Sequence, residues 1–205
     1  MHPDDPASLR GVVTSASLCD AMARRHSHRC HTVGLLPARP GEVTAGPAAT
    51  IRMGPRRDDL PGHDLVDSAR HALAEVPAGG VVIIAAADAV GEAVAGGKKL
   101  AALGTLGAAG VIAWGAIRDR AEAAGLGMGV WALGETPRAS GDLLQVLEVG
   151  GLVTAGGITV ASGDWVYVDE AGMVVVPWDD REAVVAAAAE IERDDAEAVR
   201  RIRGG

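Results

Sequence analysis

Val111-Ile112-Ala113-Trp114, continued by Gly115-Ala116-Ile117-Arg118-Asp119, is the stretch on which the fold turns. Its apolar run reads as a buried strand, and the strand ends on a cation beside a carboxylate. An arginine fork there can hold a small carboxylate through two parallel hydrogen bonds, while the aspartate can hold a hard divalent metal. The pair suits a 2-oxo acid and its metal. The same pair also serves as a solvated turn or a local ion pair, so the flanking sequence has to decide.

Upstream, Val81-Val82-Ile83-Ile84 is a second buried strand, preceded by a helix in which Leu65, Val66, Ala69, Leu73 and Val76 share one face. His63 and Asp64 open that helix and Pro77-Ala78-Gly79-Gly80 stops it. Between the two strands, Asp88-Ala89-Val90-Gly91-Glu92-Ala93-Val94-Ala95-Gly96-Gly97-Lys98-Lys99-Leu100-Ala101 reads as a glycine-rich loop leading into a helix. First-turn amides and the positive helix end favour an anion by roughly 0.3–1 kcal/mol near the surface. It is not a nucleotide loop: an extra glycine intervenes, and Lys99 stands where Ser or Thr would bind magnesium. A plain βα turn with solvated lysines is the competing reading.

Further out, Ser17 is expected to cap a short helix, with strands at Thr32-Val33-Gly34-Leu35-Leu36 and Ala48-Ala49-Thr50-Ile51-Arg52 and punctuation at Gly46-Pro47. Beyond the centre, Val130-Trp131-Ala132-Leu133 is a strand, and Gly125-Leu126-Gly127-Met128-Gly129 leads into it. Gly156-Gly157-Ile158-Thr159-Val160 begins a set of short β segments. A hairpin is expected from Asp164–Val168 and Met173–Val176 around Asp169-Glu170-Ala171-Gly172, with Asp164 and Asp169 ordering turns. The Ala-rich stretch from Glu182 to Arg200 is a final helix.

The chain has 205 residues, 48% apolar, with no Phe, one Tyr and four Trp, so small aliphatic side chains must close-pack in place of aromatic bulk. Oligomer contacts can supply further burial. A net charge of −8 disfavours a nucleic-acid surface. No apolar stretch reaches the roughly 20 residues a membrane helix needs. Two cysteines make no disulfide framework, and Met1-His2-Pro3-Asp4-Asp5 lacks the parts of a secretory signal, so a reducing cytoplasm is the expected location.

Leu18-Cys19-Asp20-Ala21, Gly46-Pro47-Ala48-Ala49-Thr50-Ile51, the run from Gly115 to Asp119, Gly156-Gly157-Ile158-Thr159-Val160, Ser162-Gly163-Asp164 and the segment from Asp169 through Gly172 to Pro177 occur in one order. In that order the chain resembles the family that contains 4-hydroxy-4-methyl-2-oxoglutarate aldolase and the regulator of ribonuclease E activity. The resemblance runs from about residue 14 to 190. It implies a single α/β domain over 14–190 of layered β/β/α swivelling type, with 1–13 as an N-terminal extension and 191–205 as helix end and tail. It also implies a ring-like homotrimer with sites between subunits. Catalytic relatives are lyases that use Mg or Mn, release pyruvate by retro-aldol cleavage and can decarboxylate oxaloacetate. By resemblance Arg118 binds the pyruvyl carboxylate and Asp119 is the metal ligand, while amides around Gly97, Lys98, Lys99 and Leu100 hold the 2-oxo acid.

The chain departs from the family at two points. Where an acidic residue commonly follows glycine at the helix start, it has Gly97-Lys98-Lys99-Leu100-Ala101. The usual aspartate after the preceding strand is replaced by Ala85 or Ala86, with Asp88 and Glu92 close enough in sequence to compensate. Three readings follow: a divergent metal-dependent lyase, a lyase using Lys98 or Lys99 as a Schiff-base amine, and a regulatory member that binds a protein partner.

His26-Ser27-His28-Arg29-Cys30-His31 carries zinc-binding side chains but lacks a second paired cluster, and reads as a polar loop. Cys19 reads as a small buried residue of the first helix. His63 and His71 read as helix-surface histidines, and Trp114 as core or pocket wall.

Overall fold

A computed structural model describes residues 6–86, 91–141 and 143–204. In chain order it forms α1 (Pro6–Leu9), α2 (Ser15–Ala23), β1 (His31–Thr32), β2 (Leu36–Pro37), β3 (Thr44–Pro55), α3 (Leu65–Ala74), β4 (Val81–Ala85) and β5 (Ala93–Ala95). There follow α4 (Gly97–Thr105), β6 (Gly110–Ile117), α5 (Arg120–Ala123), β7 (Gly129–Glu135), β8 (Leu144–Val149) and β9 (Val153–Ala155). The chain ends with β10 (Ile158–Val160), β11 (Trp165–Asp169), β12 (Gly172–Val176), a 3₁₀ turn at Trp178–Asp180 and α6 (Arg181–Arg203).

The organising strand is β3. Its first residues pair antiparallel with β11, Thr44 to Val168 through Pro47 to Trp165. From Ala48 onward it pairs parallel with β4, which pairs parallel with β6, and β6 with β7. Pro47 has no N–H to give and stands where β3 changes partner. One hydrogen-bonded path therefore serves two layers, and alternation along each strand sorts the side chains between them. Val82, Ile84, Val111 and Ala113 pack with α3 and α4 residues such as Leu65, Ala69, Leu100 and Leu103. Val81, Ile83, Ile112 and Trp114 instead face Val166, Val168, Met173 and Val175 across the two sheets. The far faces of β11 and β12 present Trp165, Tyr167, Val174 and Val176 to Leu18, Met22, Val184, Val185 and Ala188 of α2 and α6. The expected α/β class and β/β/α layering hold, and α2 with α6 adds another helical layer.

With no phenylalanine, three aromatics anchor the interior: Trp131, Trp165 and Tyr167 are each buried to 1% exposure or less. Their polar atoms are matched where burial demands it. Trp131 Nε1 donates to Thr44 Oγ1 at 2.9 Å, and Tyr167 Oη donates to the Val13 carbonyl at 3.1 Å.

Several local expectations change. Thr14, not Ser17, caps α2; Ser17 sits three residues on, and its hydroxyl oxygen accepts from the Thr14 amide at 3.0 Å, completing a capping box. The strand expected from Thr32 to Leu36 is broken into β1 and β2, with Gly34 between them at φ 94°. Gly46-Pro47 lies inside β3 rather than before it. Asp64 does cap α3, accepting from the amides of Val66 and Asp67 at 2.8 and 3.2 Å. Strands β8 and β9 went unforeseen. The glycine-rich loop contains β5, and Asp88 lies outside the described residues. The β11–β12 hairpin closes as expected, with Asp169 paired to Gly172.

Candidate active site

Parallel β6 delivers Arg118 and Asp119 to the C-terminal edge of the sheet, where open α/β sheets form their binding crevices. The neighbouring β5 runs parallel to the end of β6, Ala93 opposite Ala116 and Ala95 opposite Ile117. The Arg118 amide extends that pairing by donating to the Ala95 carbonyl at 3.1 Å. Because α4 starts directly after β5, its first turn is held beside Arg118.

Asp119 is the one non-glycine residue with positive φ among the described residues, at φ 62° and ψ 40°. Aspartate tolerates this left-handed conformation better than most side chains, yet it still costs on the order of 1–3 kcal/mol. The turn brings the carboxylate back onto α4: Asp119 Oδ2 accepts the Gly97 N–H at 3.0 Å and lies 3.6 Å from Arg118 Nε. Asp119 thus caps the helix from outside, where Gly96 offers no capping side chain. Both members of the Arg118–Asp119 pair are nearly half exposed, so their attraction alone contributes at most about 1 kcal/mol.

These groups line a cleft of about 410 Å³ together with Gly96, Lys98, Lys99 and Glu122, walled by Ala93–Ala95, Ala139 and Ser140. Three cations oppose two carboxylates in that lining, a balance that favours an anionic ligand. Gly96 and Gly97 make the cleft possible. A β-carbon on Gly96 would stand 2.7 Å from Arg118 Nε, and one on Gly97 would overlap the Glu122 carboxylate.

Of the expected site residues, Gly97, Lys98, Lys99, Arg118 and Asp119 come together. Leu100 differs: its amide donates to the Gly96 carbonyl at 3.0 Å and its side chain is fully buried, so it belongs to the helix and the core. Glu92 faces Arg138, with 3.8 Å between Oε1 and Nη1, and is not among the cleft-lining residues. Glu122 was missed by sequence reasoning. No local pattern marked it: Asp119 is left-handed and stands outside the four-residue α5 that carries Glu122, so helical spacing does not relate the two.

For a hard divalent ion the donor set fits. Asp119 and Glu122 both line the cleft, and magnesium or manganese takes one or two carboxylates, keeps waters and adds ligand oxygens.

The histidine-rich loop is divided. His26 Nε2 meets Asp180 Oδ2 at 2.8 Å, and His28 rings against His26 with centroids 5.1 Å apart. Cys30 and His31 instead meet Cys19, which is partly exposed rather than buried. Burial, and then the adjacent Cys19, push the Cys30 thiol up to about 11. Trp114 is a pocket wall as expected, lining a second cavity of about 480 Å³ with Arg52, Thr154 and Gly156.

A family profile described as RraA-like, aldolase/RraA, matches residues 15–175. The chain belongs to that family. Among its relatives, a protein of Alkalilimnicola ehrlichii provisionally named 4-hydroxy-4-methyl-2-oxoglutarate aldolase is 41% identical over 107 residues. That match takes in 52% of this chain and 65% of the relative, so the chain spans just under two-thirds of its length. Among solved structures, Streptomyces coelicolor RraAS2, described as an unusual member of the RNase ES inhibitor RraA protein family, superposes with a TM-score of 0.79 at 28% identity. The superposition covers 97% of this chain and 96% of RraAS2. A Pseudomonas syringae protein gives the same TM-score, 0.79, at 22% identity over 97% of this chain and 90% of its own, which shows the shared fold alone.

Among the described residues no helix is long and apolar enough to cross a membrane.

Proposed function

We propose that this aldolase/RraA-family member is a divergent metal-dependent carbon–carbon lyase that acts on a small 2-oxo acid and forms pyruvate or a related enolate. One observation carries the reading: Arg118, Asp119 and the first turn of α4 converge on a single cleft, with Asp119 tied to the Gly97 amide. Arg118 orients the substrate carboxylate through its guanidinium fork. The first-turn amides of Lys98 and Lys99, which the helix cannot satisfy internally, receive the remaining carboxylate or oxo oxygen. Asp119 and Glu122 would hold Mg or Mn, which supplies Lewis-acid polarisation of the 2-oxo group when bound. Glu122 takes the part of the acid missing at Lys98, holding or passing a proton at its carboxylate. The unit is residues 14–190, working as a homotrimer in a reducing cytoplasm.

The test is pyruvate formation from oxaloacetate and from 4-hydroxy-4-methyl-2-oxoglutarate, with Mg or Mn and then with chelator. Metal-dependent turnover that falls at least about tenfold in Arg118→Ala supports the lyase, since losing a charged hydrogen-bonding partner costs about 1.5–3 kcal/mol, roughly 10- to 150-fold in rate. Turnover unchanged in Asp119→Ala refutes the metal role. A borohydride-trapped adduct on Lys98 or Lys99 would indicate a Schiff-base route instead.

A second reading, a regulator that binds a ribonuclease, rests on the match to RraAS2 along 97% of the chain together with the lysines at the helix start. No turnover on either substrate, with a ribonuclease retained in pull-downs, would favour it.

A further inference from the structure

Cys19 lies on α2, whereas Cys30 and His31 lie at the opening of β1, and the fold brings all three ligand atoms within 4.8 Å of one another. Cys19 Sγ is 3.8 Å from Cys30 Sγ and 3.3 Å from His31 Nδ1. Tetrahedral zinc, with Zn–S of about 2.3 Å and Zn–N of about 2.0 Å, spaces two sulfurs about 3.8 Å apart and a sulfur and a nitrogen about 3.5 Å apart. Two of the edges of such a site therefore already exist. A disulfide would need the sulfurs at about 2.05 Å, so these thiols stand at ligand spacing rather than bond spacing.

Hydrogen bonds tie both carriers of the cluster to one hairpin. The Ser15 amide and hydroxyl donate to Asp169 at 2.8 and 2.7 Å, pinning the first turn of α2 to the β11–β12 hairpin. The Val175 amide donates to the Cys30 carbonyl at 2.8 Å, and His31 pairs with Val174, so the segment carrying two ligands is registered on that same hairpin. Cys19 and His31 also line a cavity of about 180 Å³ with Ser15, Thr32 and Met173, room for several waters at about 30 Å³ each.

We infer that Cys19, Cys30 and His31 form a zinc site of three protein ligands whose fourth position opens into this cavity. Two thiolates and an imidazole select zinc over the oxygen-seeking magnesium or manganese of the cleft. Three protein ligands with one exchangeable position is the arrangement zinc adopts when it serves an exogenous ligand rather than only the fold.

The test uses the full chain, reduced with a phosphine and freed of metal. Cobalt, as a spectroscopic stand-in for zinc, is expected to bind one per chain with a thiolate charge-transfer band and the visible spectrum of tetrahedral coordination. Zinc displaces it and excess magnesium does not. Cys19→Ser and His31→Ala each weaken zinc by at least about a hundredfold, a loss that even outer partners of a ligand can cause. His28→Ala leaves the affinity unchanged. Cys30→Ser repeats the result if that buried position tolerates it; Cys19 and His31, nearer the surface, carry the test if it does not. The site is overturned by no stoichiometric cobalt on the reduced chain, by affinity indifferent to Cys19→Ser, or by octahedral cobalt without thiolate bands.

Discussion

Gly96→Ala probes the cleft with a single methyl group. Gly96 has φ −132° and ψ −179°, extended backbone that any residue adopts, so the substitution brings no conformational strain. Its effect is steric. The new methyl would stand 2.7 Å from Arg118 Nε, 2.8 Å from Arg118 Cγ and 2.9 Å from Asp119 Oδ2. Contacts of this kind settle at about 3.5 Å or more, so the side chains must retreat by up to about 0.8 Å. Misplacing a positioning group by that distance lowers kcat/KM by about a hundredfold, equivalent to about 2.7 kcal/mol of transition-state stabilisation. Stability should barely move: alanine is a poorer helix cap than glycine, but it also narrows the unfolded ensemble by about 0.4–1 kcal/mol. The assays are pyruvate release and, independently of turnover, calorimetric binding of oxalate in the presence of Mn. A folded variant with parental turnover and oxalate affinity would refute the claim that Arg118 and Asp119 act from their present positions.

Asp119→Asn retains an oxygen that can accept the Gly97 N–H and a residue tolerant of the left-handed turn, so the fold persists while Mn affinity, read by electron paramagnetic resonance, drops at least about tenfold. Thr44→Val leaves the fully buried Trp131 indole N–H without its partner. That costs about 1–3 kcal/mol, a fall of roughly 2–4 °C in Tm for each kcal/mol, whereas Thr44→Ser keeps the acceptor and loses only a buried methyl, about 1 kcal/mol by calorimetry. Hydrogen bonds from His26, and then from Arg25, hold the Asp180 carboxyl below its ordinary value. Its stabilisation is therefore complete above the unfolded carboxylate pKa of about 3.9 and is lost as pH falls through the lower folded value. Asp180→Asn should be less stable than the parent at neutral pH, and urea midpoints of the two should converge in acid.

What was legible in the sequence was whatever local pattern dictates. Val81–Ile84 and Val111–Trp114 are uninterrupted apolar runs, and a strand buried on both faces cannot read otherwise. Asp64 and the Ala-rich C-terminal segment likewise announce their helices through capping and propensity. The arginine–aspartate pair at a strand end, with a glycine-rich helix start upstream, was visible as a pair of motifs. Strand β8 was not: its burial alternates irregularly and its pairing with β3 shifts register between Arg52 and Met53, so no period of two marks it. Nor could sequence join Asp119 to the Gly97 amide 22 positions away, draw Glu122 into the cleft, or part Cys30 and His31 from His26 and His28. Those assignments depend on long-range pairing, β5 against β6 and β1 against β12, which sets side chains distant in the chain at fixed distances in space. Periodicity and capping act over one turn or one strand and decide the elements; the hydrogen-bond register between elements decides which side chains meet.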